Sequence, residues 1–215
     1  MHRELFMKKT FVLVVLFVLP IVAYLFFASG VNNFGRLPTL TEDILDINSL
    51  APEETFKDKI TILGFLGSDV TNKKGNAFNL NQKIYKRFYE FRDFQMIMAM
   101  PKGTEAGVEE LKTELSGFTD ISKWRFVFLE KEQINALFSA LKTDLKLEDD
   151  LSTPYVFIVD KKGNLRGRKK DEDEGLKYGF NTSSVADLNN KMEDDVKIIL
   201  AEYRLALKEN NGLQE

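Results

Sequence analysis

Residues Ser152 to Arg168 read STPYVFIVDKKGNLRGR: a proline-opened apolar run, a charged turn with a glycine, and a return strand. Tyr155-Val156-Phe157-Ile158-Val159 is an unbroken β-branched and aromatic segment, of the length and character of a strand buried on both faces. Asp160-Lys161-Lys162-Gly163-Asn164 supplies turn chemistry, with Gly163 able to take positive φ, and Leu165 begins the way back. The stretch is therefore a hairpin, and the other elements can be placed relative to it.

Upstream, Lys59 to Leu66 (KITILGFL) reads as the first core strand and Gly67 to Asn76 (GSDVTNKKGN) as a polar loop after it. From Asn79, Leu80, Ile84, Phe88 and Phe91 recur at helical spacing. Phe94 to Met100 is a second strand halted by Pro101, Val108, Leu111 and Leu115 mark a short helix, and Trp124 to Leu129 is a third strand. A helix with Ile134, Leu137, Phe138 and Leu141 on one face leads into the hairpin. After it, Ser183 or Ser184 caps a long last helix whose stripe begins Val185, Leu188, Met192, Val196, Ile199 and Tyr203. The order β-α-β-α-β-α-β-β-α predicts an α/β domain with parallel neighbours in its sheet and helices on both faces.

The amino terminus is different in kind. Arg3, Lys8 and Lys9 are followed by a stretch from Thr10 to Gly35 with no charged residue, and Phe11 to Phe27 is apolar except for the tip of Tyr24. With Ala28 to Val31 it reaches the roughly 20 residues that span a bilayer, and the positive flank places the N-terminus in the cytoplasm. The competing reading is a cleaved leader starting at Met7, with small residues at Ala28-Ser29-Gly30; the length of the apolar run and the bulk of Phe26-Phe27 favour an uncleaved anchor. The expected organisation is a cytoplasmic terminus and transmembrane helix over 1–31, a tether over 32–57 that docks on the domain, the domain over 58–209, and a tail over 210–215. That gives a single-pass protein with its domain on the extracytoplasmic side, the periplasmic side of the inner membrane if the chain is bacterial.

Composition narrows the chemistry. The chain has no cysteine, one histidine (His2), a net charge of −3 and 18 phenylalanines among 215 residues. Without thiols there is no disulfide exchange, no thiolate nucleophile and no Cys-type zinc or copper site. With the one imidazole at the chain start, the domain lacks the usual neutral-pH general base. No basic block stands out as a nucleic-acid surface, so nucleic acid is not an expected partner. No cofactor is expected.

A hairpin opened by Thr-Pro and closed by one long helix resembles the thioredoxin fold, which implies a cis Thr153–Pro154 bond. The apolar anchor, FKDKITILGFLG (Phe56 to Gly67), the strand entered through Trp124 and PYVFIVDKKGNLRG resemble more narrowly the Sco/SenC branch of thioredoxin-like proteins. These are membrane-anchored copper-delivery and thiol proteins that assist cytochrome oxidase assembly. The resemblance implies a CxxxC motif after the first core strand and a histidine before the hairpin. This chain has Ser68 and Asn72 at compatible spacing, and Leu151, Ser152 and Thr153 before the hairpin, so no copper or redox residue carries over.

The candidate site is accordingly a protein-binding surface made of Ser68, Asp69, Thr71, Asn72, Thr153 and Pro154, where the fold would present its substrate-facing face. The bland reading of the first four is a solvated loop. Asp69 with Glu130 as an acid/base pair has no support in spacing. Met96, Met98 and Met100 alternate on a strand and read as core rather than a thioether copper site. The basic-then-acidic tract from Arg166 to Glu174 reads as a self-neutralising hairpin end, with a docking patch for a charged partner as the alternative. The expected protein is a non-catalytic binding or assembly factor with a partner at the membrane. The rivals are an enzyme using partner-supplied groups or carboxylates, and a structural subunit of a membrane complex.

Overall fold

The computed structural model describes residues 13–22 and 35–212. Residues 13–22 form helix α1, whose apolar side chains are exposed. Most of the expected anchor over 1–31 lies outside the described residues. Among those described, no helix is long and apolar enough to cross a membrane.

From residue 35 the chain builds an α/β unit. Its strands are β1 (Thr39–Thr41), β2 (Ile60–Phe65), β3 (Phe94–Pro101), β4 (Trp124–Leu129), β5 (Tyr155–Val159) and β6 (Leu165–Arg166), followed by the short β7 (Arg168–Asp171), β8 (Gly175–Lys177) and β9 (Phe180–Asn181). Helices α2 (Val70–Leu80), α3 (Lys86–Phe88), α4 (Glu105–Ser116), α5 (Lys131–Ala140), α6 (Val185–Asp187) and α7 (Glu193–Gly212) alternate with them. The main sheet runs β1-β6-β5-β2-β3-β4, with β9 added on β5 and β7–β8 forming a separate ribbon. β2, β3 and β4 are parallel neighbours, whereas β5 lies antiparallel to β2 and turns back into β6. Parallel β-α-β units on one side of a central strand, and an antiparallel hairpin closed by a long helix on the other, are the thioredoxin-like arrangement.

The central strands β2, β3 and β5 are buried on both faces because they carry apolar residues at most positions rather than at alternate ones. On one face Ile60, Ile62, Met96, Met98, Met100, Val156 and Ile158 pack with Leu80, Leu111, Leu115, Val196 and Ile199 of the helices. On the other, Leu63, Phe65, Ile97, Val127, Phe157 and Val159 meet Ile134 and Leu137 of α5 and Leu141 just after it, together with Ile44, Ile47, Ala51 and Phe56. The three methionines are fully buried, as the core reading requires, and Met98 lies so close over Gly64 that a Cβ there would stand 2.7 Å from its sulfur.

Three expectations change. The Thr153–Pro154 bond is not cis, since the described residues contain no cis peptide. Thr153 N–H donates to the Phe65 carbonyl at 3.0 Å and the Pro154 carbonyl accepts from Thr182 N–H at 2.8 Å, so an extended chain is held on both sides of the bond. A trans bond, intrinsically favoured by about 0.5–1 kcal/mol before proline, fits that extended path. The fold assignment therefore rests on strand order and pairing. Second, the helix after β2 begins at Val70 and not near Asn79: Asp69 caps it, Val70, Ala77 and Leu80 are buried, and a π-helical turn over Asn81–Tyr85 carries it into α3. Thr71 and Asn72 thus lie in the first turn of α2 rather than in a loop. Third, the stretch read as a tether is integral from Leu37 onward, with β1 pairing β6 and Ile44, Ile47 and Phe56 in the core.

Candidate functional site

The carboxyl end of β2 is where the candidate residues meet. Gly67, at φ +73°, turns the chain out of the strand directly against Ser152. Leu66 bridges Ser152, Ser68 N–H donates to the Asp150 carbonyl at 2.9 Å, and the bond from Thr153 to Phe65 completes the junction. Two segments more than eighty residues apart are thereby fixed side by side through their backbones. Their side chains are less equal. Ser68, Asp69, Thr71 and Asn72 are exposed and Pro154 is half-buried, but Thr153 is 6% exposed and its hydroxyl is turned to its own backbone, accepting from Tyr155 N–H at 3.4 Å.

Asp69 has a structural task. Its carboxylate accepts from Asn72 N–H at 3.2 Å and from the Asn72 side-chain amide at 2.5 Å, which satisfies an otherwise orphaned helix donor. Those bonds from Asn72 hold its carboxyl below the usual range. Glu130 does not join it: Glu130 precedes α5, where its N–H donates to Gln133 at 2.9 Å and its carboxylate pairs with Lys102 at 2.8 Å. The acid/base pairing of Asp69 with Glu130 has no geometric counterpart.

Beneath the junction, the fully buried Ser152 donates to Asp150 at 2.6 Å, and Lys73 of α2 reaches Glu148 at 3.0 Å. On the far side, the Pro154 carbonyl takes a second bond, from the Thr182 hydroxyl at 2.7 Å. Asn79 of α2 donates to the Thr182 carbonyl at 3.0 Å and Ser183 donates to Asn76 at 3.1 Å. The Thr153–Pro154 segment is thus clamped between β2, α2 and the segment around β9.

Next to this clamp is a shallow cavity of about 320 Å³ that the sequence reading missed, lined by Tyr155, Asp173, Glu174, Asn181, Asp187 and Lys191, among others. Its charges are already paired. Lys177, fully buried, lies 2.6 Å from Glu174 and 3.1 Å from Asp187, and Lys191 lies 2.6 Å from both Asp171 and Asp173. The tract from Arg166 to Glu174 is correspondingly structural rather than merely solvated. Arg166 is buried against Asp160 and Glu202, and Arg168 grips Asp195 through two bonds of 2.8 and 2.9 Å. Lys177 and Lys191 gave no sequence signal, because a lysine in a charged stretch reads as solvated.

Copper, which the Sco/SenC resemblance implies, does not fit these residues. Ser68 and Asn72 offer hydroxyl and amide oxygens where soft thiolates are needed, and Leu151, Ser152 and Thr153 supply no imidazole. Among the described residues no group of three or more Asp, Glu, His or Cys side chains is arranged to hold a metal ion.

No family model and no curated protein sequence matches the chain. Solved structures do. The chain is similar to a thiol:disulfide interchange protein from Bacteroides sp., at 17% identity and TM-score 0.45, covering 75% of this chain and 91% of that one. It is similar to Arabidopsis thaliana ScoI with copper bound, at 16% identity and TM-score 0.41, covering 66% and 86%. It is similar also to BsSco, a member of the Sco family of cytochrome c oxidase assembly proteins, at 10% identity and TM-score 0.46, covering 76% and 97%. Likenesses this distant bring no residue roles to this chain.

Proposed function

We propose that this chain is a membrane-anchored, extracytoplasmic, thioredoxin-like binding or assembly factor that engages a protein partner without redox or metal chemistry of its own. The observation that carries the reading is the junction of Gly67–Asn72 with Thr153–Pro154. Its backbone geometry is fully built, with hydrogen bonds from both segments, while its exposed side chains are Ser68, Asp69, Thr71 and Asn72. A surface of hydroxyl, amide and one capping carboxylate can present hydrogen-bonding groups to a polypeptide; it has no nucleophile activated by a neighbouring base.

Anchoring is supported by the charge-free run from Thr10 to Gly35 and by the exposed apolar side chains of α1. The proposed setting, respiratory oxidase assembly, rests on the sequence resemblance to Sco/SenC proteins alone. The rival reading, an enzyme that borrows its missing groups from a partner, is separated by assaying purified full-length protein in detergent. Stoichiometric Cu(I) uptake, or insulin disulfide or peroxide reduction above a buffer blank, would overturn the non-catalytic reading. A partner that co-purifies with tagged protein from mild detergent, with neither activity present, is the expected result.

A further inference from the structure

The opposite end of the sheet carries a second surface. The 6 residues of β2 at ~3.3 Å per residue set the amino end of that strand about 20 Å from the Gly67 junction. There a shallow, mainly apolar groove of about 280 Å³ runs between Ile60, Phe91, Leu200 and Tyr203, with Phe91 45% exposed at its rim. Arg92, Lys161 and Arg204 also line it. Lys123 donates to the Phe91 carbonyl at 2.6 Å, and Lys59 lies near enough that its charge, after burial, pulls the Lys123 ammonium down. Of the carboxylates at this end, Asp93 is held by Lys161 at 2.5 Å, Asp120 accepts from Ser122 N–H at 2.9 Å and Glu202 pairs with Arg166, while Asp58 and Glu90 are exposed.

The chain also enters the domain at this end. The Leu37 carbonyl accepts from the Arg166 guanidinium, which in turn holds Asp160 and Glu202, next in sequence to Tyr203 of the groove. Leu37, near the first described residue of the domain, is therefore fixed at its basic, aromatic end.

We propose that this face seats on the anionic headgroups of the bilayer, with Phe91 entering the interface and Arg92, Arg204, Lys59 and Lys123 meeting lipid phosphates, a reading that rests on the anchoring proposed above. An aromatic ring beside basic side chains is what a negatively charged membrane interface selects, the ring entering the headgroup boundary and the cations answering its surface potential. In a chain whose net charge is −3, a cation-rich patch next to the chain entry is a departure from the average surface. Seated this way, the domain points the Gly67 to Asn72 junction away from the lipid, where a protein partner can reach it.

Because the chain has no cysteine, single thiols report position cleanly. Full-length protein carrying Glu90→Cys beside Phe91, or Gly75→Cys on α2 where a Cβ meets nothing within 4 Å, takes an environment-sensitive fluorophore. It is reconstituted into phosphatidylcholine vesicles, with or without phosphatidylglycerol, that contain doxyl-lipid quenchers. The expected result is strong quenching at position 90 and little at 75 in anionic vesicles. The seated population should fall on the order of fivefold for each of Arg92→Gln and Arg204→Gln. Equal quenching at both positions, or quenching at 90 that is unchanged without phosphatidylglycerol, overturns the proposal. An alkaline carbonate wash of the same vesicles reads the anchor separately. Protein quenched at 90 but washed off refutes the anchor and supports docking, whereas protein retained but unquenched at 90 refutes docking alone.

Discussion

Gly67 and Ser152 stand so close that a Cβ on the glycine would lie 2.6 Å from the serine Cβ and 2.7 Å from the Asp150 carbonyl oxygen. The contact welds the end of β2 to the segment before β5, and it forms only because Gly67 has no side chain and sits at φ +73°. Gly67→Ala should therefore cost about 3 kcal/mol, combining left-handed strain with a clash against fixed neighbours. Gly163→Ala, at φ +77° with nothing within 4 Å of the new methyl, should cost only about 1 kcal/mol. Urea unfolding of the two variants checks the order; equal losses would mean that the junction is slack.

Asp69 separates capping from recognition. Asp69→Ala removes the cap of α2 and should lower stability by about 1 kcal/mol, while Asp69→Asn keeps an acceptor for Asn72 N–H and should lose at most a few tenths. If the carboxylate contributes charge to a partner, Asp69→Asn weakens partner capture at unchanged thermal stability. Capture that follows stability across both variants would leave Asp69 with its capping role alone.

Asp171 makes the stability depend on pH. Burial pushes its carboxyl up, but the Lys191 ammonium at 2.6 Å and the N–H groups of Asp173 and Glu174 outweigh burial and hold it down at about 2. In the unfolded chain an aspartate titrates near ~3.9, so the native state favours the ionised form. That contribution, about 2 kcal/mol, is complete above about pH 5 and is lost as pH falls toward 2. Urea midpoints measured between pH 6 and pH 2.5 should fall less steeply for Asp171→Asn than for the parent chain. Parallel curves would contradict the assignment.

The Arg166 cluster ties the chain entry, the hairpin and α7 together. Asp160→Ala leaves the Arg166 guanidinium, 6% exposed, with only Glu202 and the Leu37 carbonyl, and should cost about 3 kcal/mol. Lys102→Ala breaks an exposed pair with Glu130 and should stay within about 0.5 kcal/mol. Comparing the two thermal midpoints is sufficient to rank them.

Much of the fold was legible because the strands are continuous apolar runs. Phe94 to Met100 and Trp124 to Leu129 lie within or match the strands found, and the Asp160 to Asn164 turn places Gly163 at positive φ as its sequence demands. The start of α2 was illegible, because Asn72, Gly75 and Asn76 interrupt the apolar period while the cap at Asp69 and the buried Val70 and Ala77 decide the matter. The trans Thr153–Pro154 bond could not be read from a dipeptide, since it is the bonds to Phe65 and Thr182 that hold the chain extended there. The folded chain brings the Gly67 to Asn72 segment against Thr153–Pro154, but Thr153 is buried, and the neighbouring cavity has no signature in the sequence. Its long-range ion pairs join Lys177 to Asp187, and Asp171 and Asp173 to Lys191, groups that only the folded chain brings near.

The central claim is that the exposed part of the Gly67 junction binds a protein. Photo-cross-linking amino acids placed at Ser68 and at Thr71, with controls at Glu132 and Lys169 elsewhere on the domain, test it in intact cells. One discrete adduct shared by positions 68 and 71 and missing from both controls is the expected result. No adduct at either junction position, or the same adduct from all four, would contradict it.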